Sequence, residues 1–253
     1  MKKWLVFGCL FTLQSEAVSI GTYRIYLDSE HSEQKFMVKN SSTAKEKCDI
    51  SFDYMAYSEG GTQVIKLSSE DKLTLSEPAR KRMRYSPRQF IIEPKSTQYV
   101  AFSYHRQIND KPGEYRTYAN VKCLKIDDGV IEGITLSPNI VHSVPLIIRS
   151  GKSTDLDVNL VFSQIKLQES SIAFRLEHHG SRSVYGDLNL INDKGDTLKL
   201  LQKNVVIYPE MKYKDFAFSL SEFNDKNLLI EFRETGVESN KKRFNLPLNG
   251  ELQ

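Results

Sequence analysis

The sequence has few of the residue patterns that catalytic and metal sites require. Among 253 residues there are three cysteines, one tryptophan and five histidines. Only His178 and His179 are neighbours, and adjacent strand residues face opposite sides, so we assign the pair to a solvated turn before Gly180 rather than to a metal site. A nucleophile elbow, a zinc-protease helix and a phosphate-binding glycine loop are all missing from the sequence. We therefore expect no enzyme, no cofactor and no metal.

Charge and hydropathy exclude further classes of protein. The 35 Lys and Arg against 32 Asp and Glu give a formal net charge of +3. This balance excludes an acidic tail protein and is too small by itself to indicate nucleic-acid binding. The N-terminal apolar run from Trp4 to Leu13 is shorter than the roughly 20 residues that cross a membrane. We therefore expect no stable membrane insertion.

This short run has the features of an export signal. Lys2 and Lys3 precede it, and Ser15-Glu16-Ala17 places small residues at the two positions that flank a cleavage site. We predict that residues 1–17 are a signal peptide and that the mature chain begins at Val18. A buried N-terminal strand or helix is the alternative.

Export changes how the cysteines are interpreted. Cys9 leaves with the leader, so Cys48 and Cys123 remain as an even pair in an oxidising compartment. Both lie in strand-like segments, and we expect one disulfide, with two free thiols as the alternative. Two cysteines at this spacing do not indicate a zinc site.

Most of the chain alternates polar and apolar residues with the period of a half-buried strand. Turn signals such as Glu59-Gly-Gly and Asn192-Asp-Lys-Gly-Asp separate the segments. The polar stretch from Arg149 to Thr154 is the best linker candidate. We expect an all-β protein of two β-sandwich domains, residues 18–150 and 151–253, without any amphipathic helix of three turns.

The basic run from Arg80 to Arg84 allows two interpretations. It could form a surface for an anionic partner, or a solvated loop between strands whose aliphatic stems cover apolar residues. We favour the loop. Nucleic acid is not expected, because aromatic residues do not interleave with these charges and because export removes the chain from nucleic acid.

The order and spacing of several short motifs resemble the PapD-like periplasmic chaperones of the chaperone–usher pathway, over essentially the whole mature chain. The second-domain motifs are similar to the archaic or alternative branch of that family. The motifs are Tyr23-Arg-Ile-Tyr, Tyr85-Ser-Pro-Arg-Gln-Phe, Glu93-Pro, Gln98-Tyr-Val, Gly113-Glu-Tyr-Arg, Asn120-Val-Lys, Val144-Pro-Leu-Ile-Ile-Arg-Ser-Gly, Gly180-Ser-Arg-Ser-Val-Tyr-Gly-Asp-Leu and Val206-Ile-Tyr-Pro.

The resemblance implies two immunoglobulin-like β-sandwich domains in a boomerang arrangement, located in the periplasm. Such a chaperone captures pilin subunits that lack the last strand of their own sandwich, and passes them to an outer-membrane usher. Its first domain donates its final strand to the pilin groove by β-strand addition. No bond is made or broken, so the resemblance also implies that the chain is not an enzyme.

The resemblance places the donor strand in the apolar stretch from 130 to 148. Ile134, Leu136, Ile140 and Val144 share one parity, so we expect them to project into the partner groove. The alternative is that they complete the first domain's own core, and for Val144, near the linker, this alternative is the better one.

Family members hold the pilin's terminal carboxylate with basic residues in the cleft between the domains. Arg24 is at the matching place on the first strand, and its planar guanidinium can grip a carboxylate through two hydrogen bonds. Pro145 stands where better-known members have a second anchor, a lysine, so Lys122, His142 and Arg149 remain candidates for that anchor. Arg88 lies in a motif, and we expect it to brace the sandwich.

Two other classes of protein remain as alternatives. A structural pilus subunit or adhesin would need its own N-terminal donor extension, whereas the first strand here starts within a few residues of Val18. An exported carbohydrate-binding or hydrolytic protein would need clustered carboxylates or an aromatic platform, and the sequence has neither in recognisable form.

Overall fold

The computed structural model describes residues 18–108, 110–126, 140–151, 155–168, 171–220 and 228–236, and the backbone of 243–247. Within these residues the chain is mostly β-strand, with one helix. The leader at 1–17 lies outside the described residues. The all-β prediction is confirmed, because the strands form two sandwiches with separate hydrophobic cores.

The first sandwich consists of a four-stranded sheet facing a five-stranded sheet. Its elements are β1 Val18–Ile20, β2 Ile25–Leu27, β3 Glu33–Asn40, β4 Glu46–Asp53, β5 Ala56–Tyr57, β6 Val64–Ile65, α1 Ser69–Lys81, β7 Met83–Ser86, β8 Gln89–Ile92, β9 Thr97–Tyr104, β10 Gly113–Lys125 and β11 Val141–Ser150. The sheet orders are β1-β3-β9-β7 and β2-β11-β10-β4-β8, and β5 and β6 form a separate hairpin. Alternate side chains of both sheets fill a core that includes Phe36, Phe102 and Leu146.

The second sandwich follows after β11 and consists of a three-stranded and a four-stranded sheet. Its strands are β12 Leu160–Gln168, β13 Ser171–His178, β14 Val184–Ile191, β15 Thr197–Ile207, β16 Tyr213–Ser219, β17 Leu229–Glu234 and β18 Arg243–Pro247. The sheet orders are β12-β13-β16 and β15-β14-β17-β18. The predicted turn joins β14 to β15, with Gly195 at a φ of 85°. The domain boundary after residue 150 stays a prediction.

The helix α1 has 13 residues and is an element that the strand pattern of the sequence did not predict. Ser68 caps its N-terminus, where the Ser68 Oγ accepts a hydrogen bond from the Asp71 amide at 3.1 Å. Only Ser76 and Ala79 of the helix are buried. The helix therefore has no apolar stripe of the kind that reveals an amphipathic helix in a sequence.

The basic run that begins at Arg80 is consequently not a loop between strands. Its first residues end α1 and its last residues begin β7. In the middle of the run, the guanidinium of Arg82 pairs with Asp110 and lies 3.6 Å from the centre of the Tyr115 ring. An ion pair and a ring contact therefore hold Arg82, a role that neither interpretation of the run predicted.

The disulfide between Cys48 and Cys123 confirms the predicted pairing. The two residues are opposite each other on β4 and β10, which are neighbours in the five-stranded sheet. The disulfide therefore links strands that are 75 residues apart in the sequence.

The assignment of His178 to a solvated turn is wrong. His178 is the last residue of β13 and is 4% exposed. His179 faces solvent, where its Nε2 lies 3.1 Å from the Glu177 carboxylate. Burial lowers the pKa of the His178 imidazole, because the charged form loses its hydration.

Candidate functional site

The last strand of the first sandwich is covered along only half of one edge. On one side, β11 pairs antiparallel with β10 from Val141 to Ser150. On the other side, β2 pairs with it in parallel, and only over Leu146–Ile148. Among the described strands, residues 141–145 of β11 have no neighbour on that side, and we name this segment the free edge. A free edge presents unpaired N–H and C=O groups that can accept another strand.

Pro145 marks the inner end of the free edge. It stands opposite Tyr118 of β10 and has no N–H to donate. Proline occurs in strands where the amide side faces away from the ladder. From this rule we infer that the residues of the same parity, Val141 and Ser143, direct their backbone N–H and C=O groups outward, away from β10. These two residues supply the hydrogen-bonding groups that a new strand would use.

The side chains of β11 show which face belongs to the sandwich's own core. Val144, Leu146 and Ile148 are buried in the first core. Ile147, of the opposite parity, is instead buried in the second core, so β11 contributes to both sandwiches. For Val144, which is 1% exposed, the structure favours the own-core alternative over projection into a partner.

Of the other three predicted donor-strand residues, the structure describes only Ile140. Ile140 lies just before β11 and is 54% exposed, and Val141 beside it is 48% exposed. Two apolar side chains are therefore in solvent at the outer end of the free edge. Ile134 and Leu136 lie outside the described residues. The donor role of Ile134, Leu136 and Ile140 stays a prediction.

Arg24 lies where the free edge ends. It directly precedes β2, whose first residue, Ile25, is opposite Leu146 of β11. A strand that lies along the free edge in line with β2 would therefore meet Arg24. If that strand ran parallel to β11, as β2 does, its carboxyl end would be the end that meets the guanidinium.

The Arg24 side chain bridges the two sandwiches. Its Nη2 donates a hydrogen bond to the Ser183 Oγ at 3.1 Å, and its guanidinium carbon is 4.9 Å from the centre of the Tyr185 ring. It lines a cavity of about 340 Å³ that also includes Tyr23, Gln34 and Tyr185. We name this cavity the inter-sandwich cleft. Tyr23, 79% exposed, lies at its surface.

The three candidates for a second carboxylate anchor differ in their surroundings. Arg149 is buried, with its Nε 2.9 Å from a Glu114 carboxylate oxygen and its Nη2 donating to the Ser183 carbonyl. The His142 Nε2 lies 3.0 Å from the Val18 carbonyl oxygen. Lys122 is exposed and lies opposite Val141, at the outer end of the free edge, away from Arg24. Of the three, Arg149 shares a bonding partner with Arg24, because both guanidinium groups donate to Ser183. The identity of the second anchor stays open.

Glu114 and Arg149 hold the two sandwiches together beside the cleft. One Glu114 oxygen accepts from Arg149, and the other accepts from the Ser183 amide at 3.0 Å. The Ser183 hydroxyl in turn accepts the Arg24 bond. Groups from both sandwiches therefore fix the position of Arg24. Sequence reasoning missed Glu114, since no local pattern reveals a bond between residues so far apart in the chain.

Arg116 forms a second brace between the sandwiches. It pairs with Glu210, donates to the Tyr54 hydroxyl and the Met55 carbonyl at 3.1 Å each, and lies 3.7 Å from the centre of the Tyr208 ring. Burial alone would lower the pKa of this guanidinium, but the bond to Glu210 outweighs burial and the pKa is raised. Arg116 therefore stays charged, and this brace does not depend on pH in the physiological range.

The hairpin of β5 and β6 also reaches the second sandwich. The Tyr213 amide donates to the Glu59 carbonyl at 3.2 Å, and Lys212 pairs with the Glu59 carboxylate. The Tyr118 hydroxyl lies 3.3 Å from the Tyr57 hydroxyl and 3.4 Å from the Tyr208 hydroxyl. Burial raises the pKa of the Tyr118 and Tyr208 hydroxyls, so these two stay neutral.

The described residues hold neither a membrane-spanning helix nor a cluster of metal ligands. In this part of the chain, no helix is long and apolar enough to cross a membrane. No group of three or more His, Cys, Asp and Glu side chains is placed to hold a metal ion, again within the described ranges.

Comparison with known proteins finds similarity only among solved structures. No family model matches the chain, and no curated protein matches its sequence. A chain of the Salmonella enterica complex between SafA pilin and the SafB chaperone matches at 12% identity and a TM-score of 0.50, over 94% of this chain and 99% of that one. The Acinetobacter baumannii CsuC–CsuE chaperone–subunit complex matches at 12% identity and a TM-score of 0.49, over 91% and 97%. The YadV chaperone matches at 14% identity and a TM-score of 0.48, over 91% and 99%.

The match at a TM-score of 0.50, to a chain of the SafA–SafB complex, shows a shared fold. This match covers 94% of this chain and 99% of the other, so the shared fold is that of the whole chain and not of one sandwich alone. The resemblance to PapD-like chaperones is confirmed at the level of the two-domain all-β fold. Identities of 12–14% carry no assignment of function by themselves.

Proposed function

We propose that this protein is a periplasmic chaperone that binds pilus subunits by donor-strand complementation and delivers them to an outer-membrane usher. The observation that carries the proposal is the free edge of β11, which ends at Arg24 between the two sandwiches. The fold shared with a chain of the SafA–SafB complex supports it. Every contact that this function requires is non-covalent, so the protein acts without enzyme chemistry.

The free edge explains how a subunit strand would be held. Val141 and Ser143 offer outward backbone groups to a strand that pairs with β11. Each such hydrogen bond contributes about 0.5–1.5 kcal/mol net, and it removes the cost of leaving the subunit's own edge unpaired. Ile140 and the residues before it, including Leu136 and Ile134, would then fill the apolar groove of the subunit.

Arg24 gives the complex its direction. A subunit strand that runs parallel to β11 brings its terminal carboxylate to the guanidinium, where a charge-assisted bidentate pair can form. A strand of the opposite direction would bring a cationic amino end or an uncharged turn to Arg24, and would be disfavoured. We therefore assign the carboxylate anchor to Arg24.

The test is equilibrium binding of the purified protein to a pilus subunit that lacks the last strand of its sandwich. We expect an equimolar complex by size-exclusion chromatography. The same subunit with its missing strand fused in cis should not bind, because its groove is already filled. Equal binding of both subunits would contradict donor-strand complementation.

A matched pair of variants locates the contact. Val141→Glu puts a charge on the free edge, where complex formation would desolvate it, so affinity should fall at least about 10-fold. Leu200→Glu serves as the control, since Leu200 of β15 has the same 48% exposure as Val141. Equal affinities for the two variants would overturn the assignment of the free edge.

A further inference from the structure

A second concave surface lies on the first sandwich, between the end of α1 and β7. It is a cavity of about 430 Å³, which we name the basic cleft, lined by Arg80, Lys81, Arg84, Arg88, Phe52 and Tyr85. None of these residues belongs to the free edge or to the inter-sandwich cleft. The proposed function makes no use of them.

The charges of the basic cleft are largely without internal partners. Its one carboxylate, Glu77, pairs with Lys81 at 2.9 Å, and this bond lowers the Glu77 pKa. In the part of the chain that the structure describes, no carboxylate forms an ion pair with Arg80, Arg84 or Arg88. Three guanidinium groups therefore line a cavity whose one carboxylate, Glu77, is paired with Lys81.

Arg82, in the same segment, differs from these three arginines because it has an ion-pair partner. Arg82 belongs to the same run, but it is 14% exposed in its side chain and paired with Asp110. The Arg84 Nη1 donates a hydrogen bond to the Met83 carbonyl at 3.1 Å, and the Arg88 guanidinium lies 5.5 Å from the centre of the Tyr85 ring. Arg88 was expected to brace the sandwich, and its side chain is exposed instead.

The backbone beside the basic cleft suits an extended ligand. β7 is the last strand of its sheet and pairs only with β9 among the described strands. Phe52 and Tyr85 pack edge to face with ring centres 4.9 Å apart, and they supply an apolar floor. An extended peptide can lie along such a strand edge while its side chains contact the floor and the rim.

We propose that the basic cleft docks an extended acidic segment of another protein, whose carboxylates are bound by Arg80, Arg84 and Arg88. Charge complementarity selects the acidic chemistry, and arginine forks match carboxylates in geometry. A concave site beside a strand edge fits a peptide better than it fits a flat lipid surface. The overall charge of +3 means that attraction is local to this cleft, not spread over the molecule.

The probe is a fluorescent eight-residue peptide of alternating Glu and Val with blocked termini, and binding is measured by anisotropy. We expect the double variant Arg84→Gln with Arg88→Gln to bind the peptide at least about 10-fold more weakly. A rise in salt from about 0.05 M to 0.5 M should weaken binding by a similar factor, because ions screen exposed charges. Lys35→Gln with Lys39→Gln, which removes two exposed cations of β3, is the matched control and should bind normally. Hydrogen exchange of the β7 amides should slow in the complex.

Three results would overturn the proposal. The first is that a peptide with Gln in place of Glu binds as tightly as the acidic peptide. The second is that the lysine control variant loses as much affinity as the arginine variant. The third is that the protein binds phosphatidylglycerol vesicles more tightly than the peptide. The Val141→Glu variant separates this site from the proposed function. It should bind the acidic peptide normally, and if it does not, the peptide occupies the free edge and the basic cleft is not its site.

Discussion

Replacing Arg24 by alanine should weaken the capture of a pilus subunit through the loss of one carboxylate contact. The guanidinium lies where a strand on the free edge ends, and in the unbound protein it donates a hydrogen bond to Ser183 and lies over the Tyr185 ring. A hydrogen bond between charged groups contributes about 1.5–3 kcal/mol. Since 1.4 kcal/mol is a factor of ten, we expect the Kd to rise about 10- to 150-fold.

The assay is a double-mutant cycle read by titration calorimetry. One change is Arg24→Ala and the other is amidation of the subunit's terminal carboxylate. If the two groups contact each other, amidation should have little further effect in the alanine variant. The cycle should then give a coupling energy of about 1.5–3 kcal/mol between Arg24 and the carboxylate. Arg24→Lys should keep part of the affinity, because it keeps the charge but loses the bidentate geometry.

A control separates binding from folding. Arg106→Ala removes an exposed arginine of the first sandwich, and it should leave both affinity and stability unchanged. The reasoning is refuted if Arg24→Ala weakens the amidated subunit as much as the native one. In that case Arg24 acts on the subunit through the structure of the cleft and not through a carboxylate.

The remaining predictions concern stability, measured by urea unfolding. Because burial lowers the His178 pKa, the unfolded chain binds the proton more tightly than the folded protein does. The free energy of unfolding should therefore fall as the pH drops below about 6.5, by up to about 1.4 kcal/mol per pH unit. His178→Gln should reduce this fall, and parallel pH profiles of the two proteins would contradict the reasoning. Replacing Cys48 and Cys123 by alanine should cost about 4 kcal/mol, because the 75-residue separation leaves a large loop unconstrained in the unfolded state; a change below about 1 kcal/mol would count against this estimate. Gly186→Ala would place a methyl group 2.4 Å from the Arg233 carbonyl oxygen, and should lower the free energy of unfolding by about 1–3 kcal/mol. An unchanged urea midpoint would contradict this, since it would mean that β17 moves away from the methyl group at no cost.

The strands were predictable because a half-buried strand repeats every two residues, and most of this chain shows that period. The turn at Gly195 was predictable for a similar local reason, since its φ of 85° favours glycine. The disulfide was predictable from the even cysteine count that remains if the predicted leader is removed. Each of these inferences depends on short-range chemistry that the sequence displays directly.

The helix and the cleft were not predictable in the same way. The helix α1 buries only Ser76 and Ala79, so its signal lies in the Ser68 cap and in the acidic and basic ends, not in an apolar stripe. The burial of His178 and the position of Glu114 between Arg149 and Ser183 depend on contacts between the sandwiches. Periodicity carries no information about such contacts.

Val144 shows how parity can mislead. Its alternation with Ile140 was consistent with a single donor face, but β11 changes environment along its length. The even side chains from Val144 onward are buried in the first core, while Ile140 is exposed at the outer end. The motif that contains Arg24 was more informative, because the pairing of β2 with β11 places this residue at the end of the free edge.

Hydrogen exchange of the β11 amides, in the free protein and in the complex with a pilus subunit, tests the central claim most directly. In the free protein the Val141 and Ser143 amides should exchange fast, and those of His142 and Val144, which face β10, should exchange slowly. In the complex we predict that the Val141 and Ser143 amides become protected at least about 100-fold. Unchanged exchange at both residues in a saturated complex would contradict strand addition at the free edge.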